Sequence, residues 1–227
     1  VSCVIFADKS FEITIDDITK AEEQSILKRQ LAQNVSHELK TPISSIQGFT
    51  ETLINNPNMD EEKKAFYIER CHAQAVRLTS LLHDISMLNK LDESSDSFEM
   101  VDINITEVVE GVKQDVSLAL EEKNMHIEAE LPKELIIKGN TLQIYSIFRN
   151  LIDNSILHAG VGTTVFIECY RTDSEYIYLS VADNGVGVES KHLNKIFDRF
   201  YRVDKGRSRK LGGTGLGLSI VKNSIQF

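Results

Sequence analysis

The sequence predicts an α+β chain in two parts: a helical hairpin made for a four-helix bundle, then an α/β sandwich with a mixed sheet covered on one face by helices. Three observations predict it. Apolar residues recur every three or four positions along two long stretches before residue 92, the spacing that places them on one side of a helix. Asn-Asn-Pro-Asn at 55–58 interrupts those stretches, a strong local stop. Beyond the polar run Asp-Glu-Ser-Ser-Asp-Ser at 92–97, β-rich segments alternate with helical ones, the pattern of a sheet with helices packed on it.

Composition sets the bounds. The 227 residues have room for one large or two modest domains. Hydrophobic content of 41% with 26% charged residues is ordinary for a globular chain. A net charge of −9 argues against a nucleic-acid partner, whose phosphates need clustered Lys and Arg. Cys3, Cys71 and Cys169 are far apart and lack C-x-x-C spacing, so they make neither a disulfide frame nor a zinc site and fit a reducing compartment. No apolar run approaches the ~20 residues of a membrane span, so no membrane contact is expected within this stretch. The chain lacks a starting methionine and ends straight after a helical pattern, so it is expected to be a piece of a longer protein.

Taken in order, Phe11 to Ile15 alternates apolar and polar residues and reads as a strand. Residues 1–18 read either as the exit of a PAS-type sensor domain or as a juxtamembrane linker. The hairpin spans 19–91. Its first helix runs from about Thr19 to Asn55, with Leu27, Leu31, Val35, Leu39, Ile43, Ile46 and Leu53 as its stripe. Its second runs from about Asp60 to Leu91. There Ile68, Cys71, Ala75, Leu78, Leu82 and Ile85 keep alternating spacings of three and four, a coiled-coil seam. One hairpin cannot cover such stripes on both helices, so two copies are expected to associate as a homodimer; the alternative is a hairpin packed on the second domain.

A hinge is expected at 92–97, and the second domain at 98–227. In it Phe98–Ile103, Ile127–Leu131, Leu135–Lys138, Thr163–Tyr170 and Tyr176–Val181 read as strands. Thr106–Leu120 and Leu142–Leu157 read as helices. No internal repeat or low-complexity tract is present.

The most informative stretch is Asn34 to Pro42, N-V-S-H-E-L-K-T-P. Pro42 has no N–H for the carbonyl of Glu38 and crowds that turn, so the helix is expected to bend just beyond His37. At 3.6 residues per turn, His37 falls roughly 160° from the apolar stripe and faces solvent. An exposed histidine is ordinarily a solvated side chain, and by itself it decides nothing.

Four clusters in the second half carry chemistry. Asn150 and Asn154 stand at i and i+4 on one helix face, and a carboxamide oxygen suits a hard Mg²⁺ bridging phosphates. Val181-Ala-Asp183-Asn-Gly185-Val-Gly187 puts an acid at a strand end before two glycines; this is a common turn, or a carboxylate for an adenine amino group with glycines admitting the ring. Ile196 to Asp204, which carries Arg199 and Arg202, leads into Lys205, Arg207, Arg209 and Lys210, a local reversal of sign that suits polyphosphate. Gly212-Gly-Thr-Gly-Leu-Gly217 precedes a helix, whose start can bind anions; it is neither a P-loop nor a Rossmann turn. Each alone reads more readily as solvated polar residues or an ordinary turn or loop.

S-H-E-L-K-T-P followed by S-S-I-Q-G-F resembles the phospho-acceptor box of sensor histidine kinases. The four clusters, in that order downstream, resemble that family's N, G1, F and G2 boxes. The resemblance covers about Leu27 to Phe227. It implies that His37 accepts phosphoryl from ATP, with Glu38 as its acid–base partner and Thr41 orienting water for dephosphorylation of the partner. It implies ATP binding by Asn150, Asn154, Asp183, Gly185, Gly187, Phe197, Arg202, Gly213, Thr214, Gly215, Leu216 and Gly217, with Mg²⁺ on Asn154. It implies transfer to an aspartate of a response-regulator receiver domain, in the cytoplasm, from a full-length protein anchored at the bacterial inner membrane. Two departures stand out: Leu157 where a lysine is common, and Asn140 where an aspartate is common. Leu157 is the one feature that favours a catalytically impaired ATP-binding scaffold. An ATPase like the mismatch-repair or heat-shock chaperone families lacks the upstream His box.

Overall fold

Two antiparallel helices and an α/β unit that leans on them make up the structure, a computed structural model describing residues 2–6, 8, 10–14, 17–93, 99–203 and 213–226. At the N-terminus β1 (Ser2–Ile5) pairs antiparallel with β2 (Phe11–Thr14), Val4 opposite Glu12. β2 is the expected strand, with Ile15 outside the described residues. β1 was not expected: its apolar run does not alternate, so periodicity carries no strand signal there.

Helix α1 spans Thr19–Asn55 and α2 spans Glu61–Glu93, joined by the Asn-Pro-Asn turn. Asp17 accepts from the Thr19 amide at 3.0 Å as the chain enters α1. The helix continues through Pro42, which is buried. The two helices meet along their length. The Phe49 and Tyr67 rings lie 5.9 Å apart, and the Cys71 thiol approaches the Ile46 carbonyl at 3.9 Å. In the expected seam, Cys71, Leu78 and Ile85 are half-buried while Ile68, Ala75 and Leu82 are exposed in the single chain. The face of α2 with the deepest burial is instead the one carrying Leu81 and Leu88.

Of the expected 92–97 hinge, residues 94–97 lie outside the described residues, while Asp92 and Glu93 end α2. Beyond it come β3 (Val101–Asn104), α3 (Ile105–Asp115), α4 (Ser117–Glu122), β4 (His126–Glu130), β5 (Ile136–Gly139) and α5 (Thr141–His158). Then follow β6 (Thr164–Thr172), β7 (Ile177–Asp183), the short α6 (Ser190–Leu193) and α7 (Gly217–Ile225). The mixed sheet has order β4-β6-β7, with β4 parallel and β7 antiparallel to β6. β3 and β5 form a separate antiparallel ladder. The helix expected over 106–120 divides at Val116 into α3 and α4.

Burial alternates along β6 as a one-sided sheet requires: Val165 and Ile167 point into the core, Phe166 and Glu168 outward. Val109 and Val112 of α3 and Phe148 and Ile152 of α5 complete that core. Asn140 caps α5, its side chain accepting from the Gln143 amide at 3.1 Å and donating to the Glu99 carbonyl at 3.3 Å. Asparagine there performs the capping an aspartate would.

A second, smaller core joins the two halves. Leu81 and Leu88 of α2 pack with Leu216 and Ile220 at the start of α7, flanked by Leu39, Ile85, Met87 and Phe200.

Candidate functional site

His37 sits on the exposed face of α1, as its position relative to the stripe requires. With Lys40, Thr41, Ser44 and Ser45 it lines a shallow open depression. The Thr41 hydroxyl donates to the His37 carbonyl at 3.3 Å and the Ser45 hydroxyl to the Thr41 carbonyl at 3.0 Å, local bonds that support the backbone around a proline turn.

One residue further, Glu38 turns the other way. It is half-buried, and its Oε2 accepts from Arg77 Nη2 of α2 at 3.0 Å and from Arg202 Nη2 of the α/β unit at 3.3 Å. The Arg77, Glu38 and Arg202 side chains keep only 9%, 15% and 7% of their surface. Arg202 also donates to the Gly213 carbonyl. A charged residue from each of α1, α2 and the α/β unit therefore meets at the residue next to His37 on α1.

Helix α5 is the spine of the second half of the site. Asn150 and Asn154 are half-buried on it. Asn150 donates to the Ser146 carbonyl and hydroxyl at 2.8 and 3.1 Å. Its carbonyl oxygen lies 2.6 Å from where a Cβ on Gly217 would stand, so a side chain there would push the Asn150 carboxamide aside. One position beyond Asn154, Ser155 donates to Asp183 Oδ2 at 2.9 Å. The Gly185 amide donates to Asp183 Oδ1 at 3.0 Å. Asp183 is exposed at the end of β7, held by these two donors.

The glycines are needed for different reasons. Gly185 packs so tightly that a Cβ would lie 2.5 Å from the Cα, Cβ and oxygen of Ala159. Gly187 has open space but φ of +68°, in the left-handed region. Gly215 has φ of +75° and its carbonyl accepts from the Phe200 amide at 2.8 Å.

Glycine-rich and α2 residues also meet. Thr214 donates its hydroxyl to Asp84 Oδ2 at 2.7 Å and accepts from the Leu216 amide at 3.2 Å. Burial pushes the Asp84 carboxyl up from its ordinary value, against the lowering effect of Thr214 and His83, with Asp153 adding to the rise. Phe197 is exposed. Asp204, Lys205, Arg207, Arg209, Lys210 and Gly212 lie outside the described residues. Leu157 is half-buried and His158 exposed on the last turn of α5.

Sequence reasoning missed Arg77, Asp84, Ser155 and Ala159. For the first two a signal exists: charges three or four residues from Leu81 and Leu88 on a packing face are out of place unless partnered. Ser155 and Ala159 carry no such signal, because their importance lies in neighbours distant in sequence.

Residues 27–94 match the His Kinase A (phospho-acceptor) domain, and residues 139–227 match the histidine kinase-, DNA gyrase B- and HSP90-like ATPase family. The phosphate regulon sensor protein PhoR of Haemophilus influenzae is 35% identical over 210 residues, covering 92% of this chain and 48% of that protein. The chain thus spans about half the length of such relatives. Among solved structures, the Acinetobacter baumannii histidine kinase AdeS superposes with a TM-score of 0.65 at 24% identity, over 84% of this chain and 86% of that one. The histidine kinase ThkA, in complex with the response regulator protein TrrA, superposes with a TM-score of 0.61 at 18% identity, over 88% of this chain and 63% of that one. An acceptor domain followed by its ATPase domain on one chain leaves one conclusion: the chain belongs to the sensor histidine kinases of two-component systems.

Proposed function

We propose that this chain is the catalytic core of an ATP-dependent protein histidine kinase that phosphorylates its own His37 and passes the group to an aspartate of a response-regulator receiver domain. The observation that carries the reading is the contact between Glu38 and Arg202 at 3.3 Å. It brings the residue beside the acceptor against an arginine that the resemblance assigns to ATP binding.

In the first step an imidazole nitrogen of His37 attacks the γ-phosphorus. The new N–P bond forms as the bond to the β,γ-bridging oxygen breaks, and ADP leaves. Glu38 holds the proton on the other ring nitrogen, which keeps the attacking one unprotonated. Arg202 sets its charge against the oxygens of the transferring group. In the second step the N–P bond breaks as an aspartyl phosphate forms on the receiver. The exposed depression around His37, Thr41 and Ser44 leaves room for that partner.

On the nucleotide side, Asp183 receives the adenine amino group, with Gly185 and Gly187 beside it. Asn150, Phe197 and the segment Gly213, Thr214, Gly215, Leu216 and Gly217 line the remainder. The donor set fits Mg²⁺, which takes few protein oxygens and shares the rest with phosphates and water: Asn154 offers one carboxamide, with Asn150 a turn away on the same face. When bound, the ion neutralises phosphate charge. Exposed Ile68, Val76 and Leu82 on α2 support pairing with a second copy of the hairpin. No helix among the described residues is long and apolar enough to cross a membrane; the use of ATP supports work in the cytoplasm, and membrane anchoring belongs to the rest of the protein.

The test is incubation with γ-labelled ATP and Mg²⁺. Acid-labile label is expected that disappears in His37→Gln and persists in His126→Gln. Absence of label in the wild-type chain would instead favour the scaffold reading that Leu157 supports.

A further inference from the structure

Glu38 is held from two sides, and the two sides are not equivalent. Arg77 and His37 belong to the same hairpin, so their spacing does not depend on the α/β unit. Arg202 arrives on that unit and has a second task there, at the nucleotide. Both guanidiniums hold the same carboxylate oxygen, Oε2, at 3.0 and 3.3 Å. One charged acceptor shared by two mostly buried arginines is a strong arrangement, and it survives the loss of one arginine only if the other stays in place.

Helix geometry adds a demand. Successive residues on a helix point about 100° apart, so a carboxylate at 38 is not automatically aimed at an imidazole at 37. A glutamate has three rotatable bonds, and something must fix them. Arg77 does so from the hairpin, reaching across from α2 with 9% of its side chain exposed.

We propose that Arg77 is a positioning residue for autophosphorylation: it pins Oε2 of Glu38 throughout the cycle, so that Oε1 serves the His37 imidazole while Arg202 leaves for the phosphates. The assignment rests on the kinase reading given above. Arg77 touches neither substrate nor the reacting atoms; it acts through Glu38 alone. A planar guanidinium is suited to this, because it fixes direction as well as charge, which an ammonium does not.

The test uses the whole chain and follows labelling of His37 from γ-labelled ATP with Mg²⁺, at varied ATP concentration. Arg77→Met keeps an unbranched stem against α1 and removes the fork. Its maximal rate is expected to fall about 10- to 100-fold, the effect of a misplaced catalytic group, with the KM for ATP within about twofold of wild type. Arg77→Lys is expected to recover part of that loss. Because Arg77 acts through Glu38, the double variant Arg77→Met/Glu38→Gln is expected to be no slower than Glu38→Gln. Thermal melting and binding of a fluorescent nucleotide establish that each variant is folded; if Arg77→Met fails to fold, Arg77→Lys carries the same comparison with a loss of about 3- to 10-fold. Wild-type rates in Arg77→Met, a raised KM with an unchanged maximal rate, or losses that multiply in the double variant would each overturn the role. Failure of the wild-type chain to label would instead sink the kinase reading on which it rests.

Discussion

Replacing Gly185 with alanine is the sharpest probe of the proposed nucleotide site. The added methyl would stand 2.5 Å from three atoms of Ala159, two of them backbone, where ordinary contact begins at about 3.5 Å. About 1 Å of movement is therefore required, and the surroundings resist it. Ala159 is 4% exposed, its amide donates to the Ser155 carbonyl at 2.8 Å, and its carbonyl accepts from the Val186 amide at 3.2 Å. Overpacking of this kind costs about 1–3 kcal/mol, and a distorted backbone hydrogen bond adds about 1 kcal/mol. The sum, about 2–4 kcal/mol, corresponds to a fall in Tm of roughly 10 °C at about 4 °C per kcal/mol for a unit of this size. Gly187→Ala is the control. Nothing lies within 4 Å of its Cβ position, so only the left-handed backbone is taxed, by about 1 kcal/mol and about 4 °C. Calorimetric unfolding with and without ATP measures both, and the ATP-induced rise in Tm is expected to shrink most in Gly185→Ala because Ser155 and Gly185 hold Asp183. Equal Tm values for the two variants, or greater damage from Gly187→Ala, would refute the reasoning.

Three further outcomes are expected. Leu88 is fully buried between α2 and α7, so Leu88→Ala is expected to cost about 2–5 kcal/mol and to separate the unfolding of the α/β unit from that of the hairpin; one unchanged calorimetric transition would contradict it. The Asp84 carboxyl is raised by burial against Thr214, so the docked form binds its proton more tightly than the undocked form. Docking is then favoured at low pH and weakens as pH rises through the raised value; Asp84→Asn is expected to remove that dependence, as read by hydrogen exchange along α7, and an unaltered pH profile would count against it. Asn154→Ala is expected to weaken Mg²⁺-dependent nucleotide binding by at least about tenfold, measured with a fluorescent nucleotide, while leaving binding in chelator little changed.

Much of this architecture was legible from local pattern. The bounds of α1 follow from a stripe of period 3.6 that ends at Asn-Asn-Pro-Asn. The exposure of His37 follows from its angle to that stripe. The strand β6 follows from the β-rich run Thr163–Tyr170, although Val165, Phe166 and Ile167 are all apolar and do not show which of them point inward. What stayed hidden depends on pairing across the chain. α2 carries apolar residues on two faces, and periodicity does not rank which one meets its own chain; the seam through Ile68 and Leu82 stays open while Leu81 and Leu88 are buried. The glycines at 185 and 187 look alike in the sequence, yet one answers to a neighbour at 159 and the other to its own dihedral. Arg77 and Asp84 gain meaning only once Glu38 and Thr214 are set beside them. Asp204 to Gly212, the basic loop read from the sequence, lies outside the described residues.

The small core around Leu216 and Ile220 has a practical corollary for anyone dividing this protein. Its leucines are contributed from both sides of the polar run at 92–97, so a cut made there leaves each half with a bare oily surface. An ATP-binding half prepared alone would present the root of α7 to water, and its glycine-rich turn would lose the Asp84 anchor. Nucleotide affinities taken from such a half describe a loosened mouth, and are best read beside those of the joined chain.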